Sequence, residues 1–286
     1  SIRIQIAIIT KLINNTKFKI DKGDHLLDTH THILWNIDDG SKNQCMSLQM
    51  LEIAARSGTK AIFATPHVIE RANKPSWEEI KEKTQQLRQL CAEAQIDIML
   101  YPGAEVQMNW ELLPELGATG AYCLNGGRYL LIELPAAEIP AYADEFWYEL
   151  ELKGITPILA HPERYQQLRE NPDLLLLWRR RGMLMQCNSG SFTGMFGSSV
   201  CENAKVLLAN GLVDLLGSDG HRSEGRNTDM SRAAAVIRQL AGEEVLRQLT
   251  ETNPQAILKN QEIELKQPKV LLEDKPKSFW QKLFGK

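Results

Sequence analysis

The stretch DTHTHILWNIDDG, residues 28–40, holds two histidines and three aspartates in a chain with only six histidines. In an extended strand, residues i and i+2 point to the same side. Asp28, His30 and His32 therefore share one face if the strand runs through them, and two imidazoles so placed can bind one metal ion. Asp28 can instead act from behind, orienting one of the rings. Asp38 and Asp39 arrive on the following loop. The pattern continues downstream: His67 closes FATPH, His161 closes ILAH, and His221 stands two residues after Asp219 in LGSDGH. Glu105 and Glu133 close two further apolar runs, and only His25 stands apart. A lone histidine at a strand end is most often structural. Five of them interleaved with carboxylates point elsewhere, because burying so many ionisable groups without a cation is costly. A mixed imidazole–carboxylate set suits Mn, Fe, Zn or Mg rather than thiolate-seeking metals.

Such a constellation needs strands that end side by side. Seven short runs rich in Ile, Leu and Val read as strands: 25–30, 60–67, 96–105, 129–134, 155–161, 183–188 and 213–219. They are mostly continuous rather than alternating, as suits parallel strands buried on both faces. Helical stretches separate them, at 43–57, 77–95, 138–153, 172–181, 199–210 and 229–250, the last broken near Gly242. Ser76 with Glu79 three residues on forms a capping-box pattern, and Gly58, Gly154, Gly182 and Gly211 stand where helix C-caps sit. Segment 106–128 reads as a short helix around 109–116 and a loop through NGGR. Alternating strands and helices with polar residues at the strand ends favour a βα barrel, whose chemistry sits on the C-terminal ends of its strands.

Composition excludes several function classes. The 286 residues are 43% hydrophobic with a net charge of −3, enough for one large core or two small ones, and without the basic footprint of a general nucleic-acid binder. Five scattered cysteines contain no CxxC pair, which argues against a disulfide framework or zinc knuckle and fits a reducing cytoplasm. No apolar run approaches the ~20 residues of a membrane span. None of the cysteines has an arginine six positions later, and Cys123 with Arg128 is one residue short, so a thiol–phosphate intermediate is disfavoured. No phosphate-cradling GxxxxGK[ST] loop occurs. Ser189 and Ser191 read as loop-capping residues.

Taken in order, HxH, DDG, TPH, GAE, IE, AHPERY, QCNSGS and SDGH resemble the polymerase and histidinol phosphatase (PHP) superfamily. Within it the match is to bacterial tyrosine-protein phosphatases of the capsular polysaccharide (CpsB) type. The resemblance covers roughly residues 25–258, and HILWNIDDG, AHPERY and NSGSFTGMFG are its more specific parts. It implies a distorted (β/α)7 barrel with a metal site at the C-terminal ends of the strands. It implies three divalent metal ions, Mn foremost, held by His30, His32, Asp39, His67, Glu105, Glu133, His161, Asp219 and His221, with Glu105 bridging two of them. Arg164 and Arg226 match positions near the phosphate. Two departures are small: Trp35 stands where proline is common, and Gly220 stands where Ala or Met is more usual. The expected layout is a leader over 1–24, a catalytic barrel over 25–260 and a tail over 261–286.

The chemistry expected of such a site is phosphate monoester hydrolysis. A metal-bridging hydroxide attacks phosphorus in line while the two guanidinium forks clamp the non-bridging oxygens. The expected substrate is the phosphotyrosine tail of a membrane-associated bacterial tyrosine kinase that governs capsule or exopolysaccharide synthesis, met at the inner face of the membrane. Another phosphomonoesterase of the superfamily, such as a histidinol phosphatase, and a non-catalytic binder of the kinase tail are the alternatives; a polymerase-type nuclease is disfavoured. The closing KPKSFWQKLFGK gathers Phe279, Trp280, Leu283 and Phe284 on one helical face among Lys275, Lys277, Lys282 and Lys286, a pattern suited to an anionic membrane or a partner groove.

Overall fold

A computed structural model describes residues 25–116, 120–265 and 268. The leader 1–24 and the docking segment 275–286 lie outside the described residues. Among the described residues nine strand segments occur, all paired in parallel: β1 (Leu26–Thr31), β2 (Thr59–Ala64), β3 (His67–Val68), β4 (Met99–Pro102), β5 (Glu105–Gln107), β6 (Tyr129–Glu133), β7 (Thr156–Ala160), β8 (Leu184–Asn188) and β9 (Leu215–Gly217). They run in the orders β1-β2-β4 and β3-β5-β6-β7-β8-β9.

The two longest strand expectations, 60–67 and 96–105, each fold as two segments, and the second begins only at Met99. Pro66 and Pro102 sit at the breaks, and proline brings no N–H to the ladder. The hydrogen bonding nevertheless crosses them: Gly103 donates to Ala64 O at 2.9 Å and Glu105 N to Pro66 O at 3.0 Å. The sheet curls until its ends meet. Thr31 bridges Gly220 in parallel, His32 N donates to Gly220 O at 3.0 Å, and Asp219 N donates to His30 O at 2.7 Å.

Helices flank the strands: α1 (Gln44–Arg56), α2 (Trp77–Glu93), α3 (Ala143–Leu152), α4 (Gln166–Glu170), α5 (Asp173–Arg180), α6 (Ser189–Phe192), α7 (Ser198–Ala209), α8 (Ser231–Ala241), α9 (Glu243–Arg247) and α10 (Asn253–Leu258). Ser76 Oγ caps α2 by accepting from Glu79 N at 3.1 Å, and Asn43 Oδ1 caps α1 by accepting from Met46 N at 2.9 Å. The four expected capping glycines all have positive φ, and Gly242 at φ 92° separates α8 from α9 as its position in the sequence suggests. The region read as a helix around 109–116 is one 3₁₀ turn, Trp110–Leu112. Among the described residues no helix is long and apolar enough to cross a membrane.

Two apolar clusters explain the continuous hydrophobic strands. Leu130, Ile132, Leu159, Met185 and Leu216 pack outward with the helices, while Tyr129, Leu131, Ile158, Leu184 and Leu215 pack inward with Ile257 of α10. Alternate residues of each strand thus serve opposite faces. Following the inward parity toward the strand ends leads from Phe63 to His67, from Leu131 to Glu133, from Leu184 to Gln186 and Asn188, and from Leu215 to Asp219. One face is sealed with hydrocarbon below and lined with polar groups above.

Candidate metal centre

Glu105 is the hub of the polar end. Its side chain is 1% exposed, and its Oε2 lies 3.1 Å from His30 Nε2, 3.2 Å from His32 Nε2 and 3.0 Å from His67 Nδ1. Its Oε1 lies 3.0 Å from His161 Nε2. His30 Nε2 and His32 Nε2 are 3.1 Å apart, and both face Asp219 Oδ1, at 3.5 and 3.4 Å. Asp39 Oδ1 stands 3.3 Å from His221 Nε2 and 3.7 Å from His67 Nε2. Glu133 lies 3.7 Å from His161 Nε2 and 3.8 Å from His67 Nδ1. All nine residues expected as ligands from the sequence are drawn into one cluster, and exposed His25 stands outside it.

Three overlapping sets of donor atoms lie within 4.8 Å of one another: His32, Asp39, His67 and His221; His30, His32 and Asp219; His67, Glu105 and Glu133. His161 belongs to none of these and reaches the cluster through Glu105. Glu105 Oε2, Asp219 Oδ1, His67 Nδ1 and His221 Nε2 are buried without a hydrogen-bond partner. Buried lone pairs and charges left in this condition are costly. Atoms that approach to about 3 Å without donor geometry suit a cation better than one another, so the donor set fits divalent metal ions.

The electrostatics are those of crowded, opposed charges. Burial works against ionised Glu105, but His30, His67 and His161 hold it well below the usual carboxylate range. Asp219 is likewise held well below, with burial opposed by His30, His32 and Arg226. Burial and then the neighbouring Glu105 charge push Glu133 up to about 7. Burial lowers His30 and His32, yet the carboxylates around them raise both above the ordinary imidazole range. His67 goes the other way, down to about 4, chiefly through burial.

Backbone conformation is spent on this end of the molecule. His161 and Asp219 have φ of 37° and 53°, a left-handed region that costs a non-glycine residue on the order of 1–3 kcal/mol. The next residues turn away sharply, His161 into the Pro162–Arg164 turn, so each side chain stays at the rim. Gly40 permits a close crossing: a Cβ there would lie 2.2 Å from His32 O. At Gly220 a Cβ would lie 2.7 Å from Thr228 Cγ2, so the glycine that departs from the usual pattern is matched by a local neighbour.

The orienting residues differ from the sequence expectation. Asp28 touches no ring: its Oδ1 accepts from the backbone N–H groups of His30 and Ser218, at 3.2 and 2.8 Å, and so fastens β1 to β9. Burial pushes its carboxyl up to about 6. The rings are held instead by Gln186, whose Oε1 meets His30 Nδ1 at 2.9 Å, and by Asp38, whose Oδ2 meets His32 Nδ1 at 2.7 Å. Asn188 Nδ2 donates to Asp219 Oδ2 at 2.6 Å. Gln186 and Asn188 went unassigned in the sequence, although their inward parity at the end of β8 is the signal that finds them. Ser191 Oγ donates to Glu163 Oε1 at 2.7 Å, a loop anchor as expected.

Arg164 and Arg226 meet at the mouth. They are 32% and 30% exposed, and both donate to Asp219 Oδ2. Beside them a cavity of about 420 Å³ is lined by Glu133, His161, Arg164, Tyr165, Gln167 and others. A larger cavity of about 660 Å³ lies at the opposite ends of the strands, around Tyr129, Thr156 and Leu184, away from the cluster.

The family described as "Capsular polysaccharide synthesis, CpsB/CapC" matches residues 26–259. The chain is 34% identical to the tyrosine-protein phosphatase YwqE of Bacillus subtilis over 238 residues, 83% of this chain and 93% of that protein. It is 28% identical to the tyrosine-protein phosphatase CpsB of Streptococcus pneumoniae over 241 residues, 82% of this chain and 99% of that protein. A crystal structure from work on YwqE and CpsB, described there as unique metal-dependent tyrosine phosphatases, superposes with a TM-score of 0.81 at 32% identity, covering 87% of this chain and all of the other.

Proposed function

The chain belongs to the CpsB/CapC family of capsular polysaccharide synthesis proteins, and from that premise we propose that it is a metal-dependent protein-tyrosine phosphatase. The observation that carries the reading is the convergence of five imidazoles and four carboxylates, eight of the nine with donor atoms in sets within 4.8 Å and His161 joined through Glu105, beside two arginines. His30, His32, Asp39, His67, Glu105, Glu133, His161, Asp219 and His221 hold three divalent ions, manganese foremost among Mn, Fe, Zn and Mg. When bound, such ions neutralise phosphoryl oxygens and lower the pKa of water to give a nucleophile near neutral pH.

The chain's own groups do the rest. Glu105 spans the set by presenting one oxygen to His30, His32 and His67 and the other to His161. Asp38 and Gln186 fix the ring planes of His32 and His30. Arg164 and Arg226 turn from Asp219 Oδ2 to the phosphate and clamp its non-bridging oxygens, a task suited to the guanidinium fork. Taking β2 with β3 and β4 with β5 as one strand each leaves seven strands among the described residues, six of them followed by an α-helix and the β4–β5 strand by 3₁₀ turns, which supports reading residues 25–260 as a distorted (β/α)7 barrel with its site at the C-terminal strand ends. The substrate is a phosphotyrosine segment of a membrane-associated bacterial kinase in the capsule pathway.

Parallel assays on a phosphotyrosine peptide and on histidinol phosphate, before and after chelation and re-addition of each metal, test this. Turnover of the peptide that disappears on chelation and returns with manganese is expected. Preferential hydrolysis of histidinol phosphate, or peptide turnover indifferent to chelation, refutes it.

A further inference from the structure

Phe196 borders both arginines at the mouth. The guanidinium carbon of Arg164 is 4.8 Å from the centre of its ring, and that of Arg226 is 5.6 Å away. Both fall inside the roughly 6 Å over which a guanidinium is drawn to the electron-rich face of an aromatic ring. The two cations also share one anchor, Asp219 Oδ2. Like charges brought this close repel, and a single carboxylate oxygen does not set the orientation of two planar groups. A second carboxylate would hold them, but it would also repel an incoming phosphate. An aromatic face holds cations without adding anionic charge.

The loop that carries Phe196 is built for this placement. Met195 N donates back to Gly190 O at 3.0 Å, and Gly197 N donates to Gly194 O at 3.1 Å. Gly194 and Gly197 take left-handed φ of 82° and 93°, which fold the segment over itself. A Cβ on Gly190 would lie 3.1 Å from Phe196 Cε2, so the ring packs against bare backbone. The foot of the loop is tied to the Arg164 turn. Glu163, next to Arg164, is 1% exposed and accepts from Asn188 N at 2.9 Å and Ser191 Oγ at 2.7 Å.

We infer that Phe196 is a positioning residue for the anion site, its ring holding the Arg164 and Arg226 guanidinia convergent so that one phosphate meets both. The inference rests on the phosphatase reading for what delivers that phosphate. The test is calorimetric titration of inorganic phosphate into the manganese-loaded protein, beside turnover of a phosphotyrosine peptide, for the wild type, F196L and F196Y. Leucine keeps apolar bulk and loses the ring; tyrosine keeps the ring. F196L is expected to bind phosphate about tenfold more weakly and to raise KM in proportion, while F196Y stays within about twofold of the wild type. The half-buried position lets both variants fold with the wild-type unfolding midpoint. Unchanged phosphate affinity in F196L overturns the inference, and so does an F196Y as weak as F196L. A wild type that binds phosphate with the expected pattern but leaves the peptide intact upholds the positioning role and overturns the phosphatase reading instead.

Discussion

His32 Nδ1 and Asp38 Oδ2 stand 2.7 Å apart, and this contact turns His32 Nε2 toward Glu105 and Asp219. The same carboxylate accepts from Gly40 N at 2.8 Å and from His67 N at 3.0 Å. One side chain thus sets a ring, a loop and the start of β3. Its charge is held below the usual carboxylate range, with burial opposed chiefly by His32.

Asp38→Asn therefore weakens metal binding without removing a ligand. Groups that orient a metal-binding histidine typically contribute about 10–100-fold in affinity or activity, and a loss of that size is expected when the metal-free variant is titrated with manganese. Affinity equal to the wild type would show that Asp38 serves only the loop.

Gly40→Ala tests the loop crossing. The added methyl would meet His32 O and His32 Cβ, at 2.2 and 2.5 Å, and neither can rotate aside. Forced backbone shifts of this kind cost on the order of 1–3 kcal/mol or more. Urea unfolding should report a loss in that range together with weaker metal binding, and an unchanged midpoint would contradict the close approach.

The candidate ligands and the strand ends were legible in the sequence because polar residues gather where the apolar runs stop, mostly on the inward parity; His161 is one residue out of step with Ile158 and Ala160 and reaches the rim through its left-handed φ. His67, Glu133 and Asp219 all keep the inward parity. The orienting residues were less legible. Asp38 is one of two adjacent aspartates that differ only in how the loop turns, and Gln186 is paired with a ring 156 residues away. Asp28 shares a face with His30 by spacing, yet the meeting of β1 with β9 captures its carboxylate for Ser218 N, a contact that depends on closure of the sheet. The proline breaks at Pro66 and Pro102 were visible as residues, but their effect on strand pairing depends on which neighbour needs an N–H there.

Cysteine chemistry makes a separable prediction. Cys91, Cys123 and Cys187 are buried, and burial raises all three thiols, Cys123 to about 12. Only Cys45 is exposed, with Cys201 half-buried. Since the thiolate is the reactive form, iodoacetamide at pH 8 should label Cys45 first and Cys201 more slowly, as mass spectrometry can follow, with turnover retained. Activity lost in step with labelling would revive a thiol nucleophile.

Arg226→Lys separates charge from fork geometry. Lysine keeps the cation but cannot offer two parallel donors to a phosphate. A fall in kcat/KM of about 10–100-fold, with manganese affinity intact, is the expected result. The double variant R164K/R226K should lose less than the product of the single effects, because both arginines act on one anion. Full multiplicativity would mean that they act at separate places.

Metal removal should be felt in stability as well as turnover. Glu105 Oε2 and Asp219 Oδ1 are buried without hydrogen-bond partners, and a bound cation relieves that condition only in the folded chain. Ligand at 100 times its Kd adds about 2.7 kcal/mol to folding when the unfolded chain does not bind it, so manganese in excess should raise the unfolding midpoint by several degrees and chelation should reverse the rise. Because imidazole must be deprotonated to ligate, and the carboxylates around His30 and His32 favour their protonated forms, binding near neutral pH should release protons. Calorimetry in buffers of different ionisation enthalpy counts them. No thermal shift and no proton release in His67→Ala, against both in the wild type, would tie the two effects to the cluster, whereas their persistence in that variant would place the metal elsewhere.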